Sequence, residues 1–191
     1  MVLRGSGTDP KSAQPVDDLL ARSDGRWLVL HTRSRQEKAV VKDLRAVRAA
    51  CYLPEHTTVR YYGRRKVRVT QPLFPGYVFL YGYRDQAFLA DRLSRLVGII
   101  DVPDQDLLTQ ELKCIASALE AGGSLEPCNP FTSGDWVEVG SGPFKGIRGQ
   151  VEGHRQGSRL ILGVGFLGLG AALEIDAALV RRIDQPVAAM C

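Results

Sequence analysis

The pattern of apolar residues changes character at residues 122–130, and no other feature constrains the fold as strongly. Before this segment, apolar residues at helical spacing alternate with short apolar runs that are typical of strands. After it, glycine becomes dense and short alternating segments replace the helical spacing, which is typical of a small barrel. The segment itself, GGSLEPCNP, has the composition of a linker. The chain of 191 residues is therefore predicted to form two domains.

The predicted fold class is α+β. We expect an N-terminal α/β sandwich, with helices packed on a mostly antiparallel sheet, followed by a C-terminal all-β barrel. The predicted boundaries are a flexible tail over 1–24, the sandwich over 25–121, a linker over 122–130, the barrel over 131–185 and a tail over 186–191.

Within the sandwich, the apolar run at 27–32 predicts a buried strand. A helix is predicted next, because Val40, Leu44, Val47 and Cys51 share one stripe. Its start is placed at Ser34, with Glu37 completing a capping box. Alternation over 58–70 predicts a hairpin that turns at 62–64, and helical spacing predicts two more helices, over 86–96 and 109–121.

Positive charge is concentrated in one segment. Residues 26–70 carry 12 basic and 3 acidic side chains, whereas the whole chain has a net charge of only +4. Such a footprint fits a polyanionic partner, most simply nucleic acid, and the alternative is a basic face that only improves solubility.

Several classes of protein are not supported by the residues. No apolar run approaches the length of a membrane span, and the first residues lack a secretion signal, so we expect a cytoplasmic protein that does not bind membranes. The four cysteines lack the spacing of a zinc site, and no catalytic motif is present. We therefore expect no enzyme activity, metal or cofactor. The sequence at 163–168 matches the dinucleotide-binding pattern G-x-G-x-x-G, but too little chain follows for that fold, so two strands around a glycine loop are predicted.

Two motifs together resemble the NusG family of transcription elongation factors. The first is PLFPGYVF at 72–79, which follows the basic hairpin. The second is GDWVEV at 134–139 with GPFKGIRGQV at 142–151, which resembles a KOW motif. The resemblance implies an NGN-type N-terminal domain and an SH3-like KOW barrel. It also implies a monomeric factor that binds RNA polymerase and suppresses pausing or termination.

The resemblance further implies that the NGN-type domain binds the clamp helices of the largest catalytic polymerase subunit. The residues at the matching positions are His31, Phe74, Tyr77 and Phe79. Prolines and a glycine flank Phe74, so we expect Phe74 to lie exposed on a bend.

DNA of the transcription bubble is the second implied partner. Arg33, Arg35 and Lys38 are candidates for contacts with phosphates or single-stranded DNA. The hairpin tip would reach DNA further along the duplex, through Arg64, Arg65 and Lys66.

In the KOW segment the candidate residues are mainly structural. They are Gly142, Phe144, Lys145, Gly146, Gly149 and Val151, of which the glycines are expected to permit turns. The implied partner-binding loop contains Phe166 and Leu167, and the partners implied for it are ribosomal protein NusE or Rho.

Three functions remain open at this point. The PLFPGYVF run and the Phe166-Leu167-Gly168 loop favour a specialised antiterminator of the RfaH or LoaP kind. A general NusG is the second reading. A ribosome-associated, RNA-binding KOW protein is the third, because KOW modules also occur in ribosomal proteins.

Overall fold

The computed structural model describes residues 16–21, 25–63, 65–91, 94–128, 135–154, 157–175 and 179–183. These residues form a four-stranded sheet, a separate hairpin, a six-stranded sheet and four α-helices. In chain order the elements are α1 (Val16–Leu20), β1 (Arg26–Thr32), α2 (Glu37–Ala46), β2 (Ala50–Tyr52), β3 (Glu55–Tyr62), β4 (Arg65–Pro72), β5 (Tyr77–Gly82), α3 (Arg84–Ala90), β6 (Leu96–Asp101), α4 (Gln105–Glu120), β7 (Leu125–Cys128), β8 (Asp135–Val139), β9 (Arg148–His154), β10 (Gly157–Val164), a 3-10 turn (Gly165–Leu167), β11 (Leu169–Ile175) and β12 (Val180–Arg182).

The N-terminal sheet has the strand order β2-β5-β1-β6 and antiparallel pairing throughout. One face packs against α2 and α3, through residues such as Leu28 and Leu80 of the sheet and Leu44 of α2. The other face, which includes Trp27 and Phe79, packs against α1 and α4. The sheet is therefore covered on both faces, which confirms the prediction of helices packed on an antiparallel sheet.

The helix α2 is shorter than its apolar stripe predicts. It ends at Ala46, Arg48 then adopts a left-handed conformation (φ 57°), and Cys51 belongs to strand β2. The apolar stripe of the sequence continues past the end of α2 because the next strand, β2, also consists of buried residues. The predicted capping box is also wrong: Gln36 is the N-cap, and the Glu37 carboxylate instead accepts a hydrogen bond from the Gly76 N–H at 2.7 Å.

Two other predicted helix boundaries need correction. The helix predicted over 86–96 is α3, which ends at Ala90 because the Asp91 carboxylate accepts hydrogen bonds from the N–H groups of Arg95 and Leu96 as β6 begins. The helix predicted to start at Thr109 starts one turn earlier, since the Asp104 carboxylate caps it by accepting from the Leu107 N–H.

Part of the predicted N-terminal tail is structured. In α1, Val16 and Leu19 are buried in the same apolar cluster as α4, and Asp17 forms an ion pair with Lys113 at 2.7 Å. The tail prediction is therefore wrong for residues 16–21. The other residues of the predicted tail, 1–15 and 22–24, lie outside the described residues.

The C-terminal sheet has the linear order β12-β8-β9-β10-β11-β7. No pairing joins β12 to β7 among the residues that the structure describes, so the sheet is consistent with an SH3-like KOW fold but is not the closed barrel that was predicted. Strand β7 lies inside the predicted linker and pairs with β11. The segment at 163–168 connects strands β10 and β11, as the prediction of two strands around a glycine loop required.

Helix α4 contacts both halves of the molecule. It packs against β1 and α1 on one side and against β10 on the other. The buried residues of α4 and of the C-terminal sheet belong to one continuous apolar cluster, with Leu112, Leu125 and Leu160 fully buried. The described residues therefore share one core across the two predicted domains.

We expect a Gly149→Ala substitution to destabilise the fold. Gly149 is buried in β9, where a Cβ atom would collide with the Ile161 carbonyl oxygen of β10. Overpacking of this kind costs about 1–3 kcal/mol. Gly98→Ala in β6 is the matched control, because no atom lies within 4 Å of a Cβ at that position. Urea unfolding should show a lower midpoint for Gly149→Ala and an unchanged or higher one for Gly98→Ala; equal midpoints would contradict the collision.

Candidate nucleic-acid and protein interfaces

The bend between β4 and β5 buries Leu73 and Phe74 and leaves Pro75 exposed. Phe74 is only 2% exposed and packs edge to face on Phe79, with ring centroids 6.4 Å apart. Residues outside the bend hold its backbone through two hydrogen bonds. The Gly76 N–H donates to the Glu37 carboxylate, and the Thr32 N–H donates to the Gly76 carbonyl oxygen. The expectation that Phe74 is exposed is therefore wrong, and Phe79 is fully buried as well.

His31 and Tyr77 lie at the surface beside this bend. They are directly opposed across β1 and β5, and their rings stack with centroids 5.2 Å apart and an interplanar angle of 16°. Both side chains are half-buried. Of the four residues implied by family resemblance for polymerase binding, these two are the ones that a partner can reach without opening the core.

The cations at the start of α2 differ in their surroundings. Arg33, Arg35 and Lys38 are all exposed, and Arg35 has a left-handed backbone (φ 61°). Lys38 is tied to the base of the hairpin, because its Nζ lies 2.7 Å from Glu55 Oε1 and 3.0 Å from the Thr70 carbonyl oxygen. Lys38 thus positions the hairpin, while Arg33 and Arg35 remain exposed, and Arg35 lines a cleft of about 680 Å³ between α2 and the hairpin.

The predicted hairpin is confirmed as the pair β3–β4. It is a sheet of its own, and its strands contact each other far more than any other element. Arg65 and Lys66 are exposed near its tip, whereas Arg64 lies outside the described residues. The structure therefore brings two of the three predicted tip cations to solvent.

The residues of the KOW motif have structural positions. Gly142 and Gly146 have positive φ angles of 82° and 87°, which confirms the expected turns. Gly149 is required for a different reason, because its strand approaches β10 too closely for a Cβ atom. Of the others, Phe144 and Val151 pack against the core and Lys145 is exposed.

The loop after β10 lies against α4. Phe166 is 37% exposed, while Leu167 packs against the apolar cluster. The Gly165 N–H donates to Glu111 Oε1 of α4 at 2.9 Å, and Glu111 Oε2 is buried without a hydrogen-bond partner. A carboxylate from the N-terminal half therefore holds the candidate partner-binding loop of the C-terminal half.

Burial raises the pKa of Glu111 to about 7. The hydrogen bond from Gly165 opposes this effect, and the negative charge of Asp104 adds to it. The carboxyl group is thus poised between its neutral and charged forms near neutral pH.

Comparison with known proteins identifies the family of the N-terminal half. A family model described as "NusG: Transcription termination factor nusG" matches residues 25–109. These residues form a NusG-family domain. Homology of this domain to the family implies a transcription elongation factor. No curated protein matches the chain.

Solved structures of NusG and Spt5 are among those similar to this chain. One is "Domain interaction in Thermotoga maritima NusG", with 22% identity, a TM-score of 0.45, and coverage of 84% of this chain and 98% of that one. Another is "Crystal Structure of MjSpt4:Spt5 complex conformation A", with 18% identity, a TM-score of 0.28, and coverage of 84% and 99%.

The sequence did not point to Glu111 or to α1. The apolar spacing of Val16, Leu19 and Leu20 was a usable signal for α1, whereas nothing local marks Glu111, whose contact is 54 residues away in the chain. Among the described residues, none of the helices is long and apolar enough to span a membrane. No group of three or more potential metal ligands occurs in the same part of the chain.

We expect Glu111 to make stability depend on pH. An acid whose pKa is raised by folding keeps a proton that the unfolded chain releases, so stability falls as pH rises from about 4.5 to about 7. Glu111→Gln keeps an oxygen for the Gly165 N–H and removes the buried charge. Thermal unfolding at about pH 5 and about pH 8 should show a smaller loss of Tm for this variant than for the wild type.

The exposed Glu126→Gln is the control, because it removes a carboxylate that is not buried. It should keep the wild-type pH dependence. A Glu111→Gln protein that is less stable than the wild type at the higher pH would contradict the assignment of a buried charge.

Proposed function

We propose that this chain is a transcription elongation factor that binds RNA polymerase at the clamp helices of its largest catalytic subunit and suppresses pausing or termination. The observation that supports this most strongly is the NusG-family domain over residues 25–109. No catalysis is involved. A factor that binds the closed, elongating form of the polymerase more tightly than the paused form raises the population of the closed form.

The stacked pair His31 and Tyr77 is the proposed contact with the clamp helices. It is an accessible aromatic surface, and aromatic side chains are enriched where interfaces gain most of their binding energy. Phe74 and Phe79 support this contact from the core, because they belong to the buried cluster against which Tyr77 packs.

The proposed contacts with DNA of the transcription bubble come from the basic side chains of the same half. Arg33 and Arg35 lie beside the bend, and Arg65 and Lys66 lie at the end of the hairpin. Together with Arg64 they supply salt-dependent affinity for phosphates more than sequence readout, and Lys38 contributes by holding the base of the hairpin.

For the C-terminal half we propose a KOW domain that binds a partner, NusE or Rho, through the loop of Phe166 and Leu167. Phe166 is the more exposed of the two. Because the Gly165 N–H at the start of the same loop donates to Glu111, binding there competes with packing on α4.

Binding to purified core RNA polymerase tests the proposed clamp interface. The variant is His31→Ala combined with Tyr77→Ala, and the control is Phe88→Ala, which removes an aromatic ring that is 63% exposed on α3. We expect the double variant to bind roughly tenfold more weakly or worse, and the control to bind as the wild type does. Far-ultraviolet circular dichroism of both variants checks that they are folded.

Unchanged binding by the folded double variant would reject this interface. Absence of binding by the wild type, under conditions where an established elongation factor binds, would reject the proposed function and favour the ribosome-associated KOW protein. That alternative predicts co-sedimentation with ribosomal subunits.

Within the family we propose a specialised antiterminator rather than a general NusG. The support is the sequence of the Phe166-Leu167-Gly168 loop together with the PLFPGYVF run. Deleting the gene in the source organism and sequencing its transcripts should change read-through of a few operons only. A change spread over most transcripts would identify a general factor instead.

A further inference from the structure

The hairpin β3–β4 carries its most exposed apolar side chains on the face that is turned to solvent. Tyr61 is 70% exposed and Val59 is 43% exposed. In an ordinary half-buried hairpin, apolar residues occupy the covered face and polar residues the open one. Core packing therefore does not account for Tyr61, and a ligand is the alternative explanation.

The register of the hairpin determines which side chains share this face. Tyr61 is directly opposed to Lys66, and Val59 is directly opposed to Arg68. Directly opposed Cβ atoms in an antiparallel pair are about 5 Å apart. Lys66 and Arg68 are exposed, whereas the alternating residues Val67 and Val69 are half-buried. One face of the ribbon thus combines an aromatic ring with two cations; we refer to Val59, Tyr61, Lys66 and Arg68 as the ribbon face.

Among the residues that the structure describes, no acidic side chain pairs with the cations of the ribbon face. Between residues 55 and 72 the sequence has five basic side chains and one acidic side chain, Glu55, which is paired with Lys38 at the base. In the described part of the chain, neither Lys66 nor Arg68 takes part in an ion pair. An anionic ligand would therefore find the cations free.

The base of the hairpin is held firmly while its end projects. Lys38 binds the Thr70 carbonyl oxygen, the hydroxyls of Thr57 and Thr70 are 3.3 Å apart, and the Leu73 N–H donates to the Pro54 carbonyl oxygen. Tyr61 lies six residues beyond the start of β3, so it is about 20 Å from the base along the strand. The ribbon face is thus a pre-ordered platform that extends away from the NusG-family domain's sheet.

We propose that the ribbon face binds a single-stranded segment of nucleic acid, with an unpaired base stacked on Tyr61 and the phosphates on either side held by Lys66 and Arg68. Every base has a π-face, so the recognition is tolerant of sequence, and stacking is available only where bases are unpaired. Arg68 belongs to this site because it lies on the same face as Tyr61, although it is not one of the cations at the tip of the hairpin. Arg65 does not, because it is opposed to Tyr62 on the other face. The inference refines the nucleic-acid part of the proposed function, and the binding itself is independent of polymerase.

Fluorescence anisotropy with labelled oligonucleotides tests this site on the full chain. The probes are a single strand of about 12 nucleotides as DNA, the same length as RNA, and a DNA duplex. We expect the single strands to bind more tightly than the duplex. Tyr61→Ala should weaken single-strand binding roughly 5- to 150-fold, which corresponds to the loss of one stacked base, while Tyr61→Phe should keep it. The DNA and RNA arms show which strand is preferred.

Two arginines on opposite faces provide a matched control for charge. Arg68→Ala and Arg60→Ala each remove one exposed cation from the same hairpin, but Arg60 is opposed to Val67 on the other face. We expect Arg68→Ala to weaken binding and to lower the slope of log affinity against log salt by about 1, and Arg60→Ala to have a smaller effect on both. Equal effects of the two arginines, with no effect of Tyr61→Ala, would overturn the proposal in favour of a diffuse basic surface.

The remaining outcomes separate this proposal from the proposed function. Absence of single-strand binding by the wild type, or tighter binding of the duplex that Tyr61→Ala leaves unchanged, overturns the ribbon face whether or not the chain binds polymerase. Loss of single-strand binding by Tyr61→Ala with normal binding to core polymerase supports it. Normal single-strand binding by the His31→Ala, Tyr77→Ala protein supports it as well, even if that protein no longer binds polymerase.

Discussion

The hydrogen bonds between Trp27 and helix α4 are the contact on which the arrangement of the other elements depends. Trp27 lies at the end of the central strand β1, where its N–H and carbonyl groups have no strand partner on the β6 side. The side-chain amide of Gln105 replaces that partner, since its oxygen accepts from the Trp27 N–H at 2.6 Å and its nitrogen donates to the Trp27 carbonyl at 3.1 Å. The indole N–H donates to Thr109 one turn later. A buried tryptophan thus has all its polar groups satisfied by one helix.

Strand β1 determines the position of α4, and α4 in turn determines the position of α1 and of the C-terminal sheet. The helix buries Leu108, Leu112 and Ile115 completely, and it contacts the N-terminal sheet, α1 and β10. A helix that is apolar on more than one side is stable only when it is covered on more than one side. The C-terminal sheet supplies that cover, so the core of this chain runs through both predicted domains.

Local pattern in the sequence was sufficient for the strands and the hairpin but not for the ends of the helices. Alternation identified both strands of the hairpin, although only β4 places its apolar residues, Val67 and Val69, on the more covered face, whereas Val59 and Tyr61 of β3 lie on the exposed one. Cys51 and Leu96 were assigned to helices because a buried strand that follows a helix can continue its apolar stripe. Prolines and a glycine indicate a bend at Phe74, but they do not show that its ring is buried, because the hydrogen bonds that hold the bend come from Glu37 and Thr32, far away in the chain. Long-range contacts of single polar side chains leave no periodic signal.

Strand β7 changes how freely the two halves can separate. Helix α4 ends at Glu120 and β7 begins at Leu125, so only residues 121–124 lie between the helix and the first strand of the C-terminal sheet. Four residues span at most about 14 Å, which makes the segment a hinge rather than a tether. Gly122, with a φ of 80°, is the residue best suited to absorb a rotation there. If the C-terminal sheet leaves α4, it stays within a short radius at a high effective concentration, and it can return whenever a competing partner dissociates.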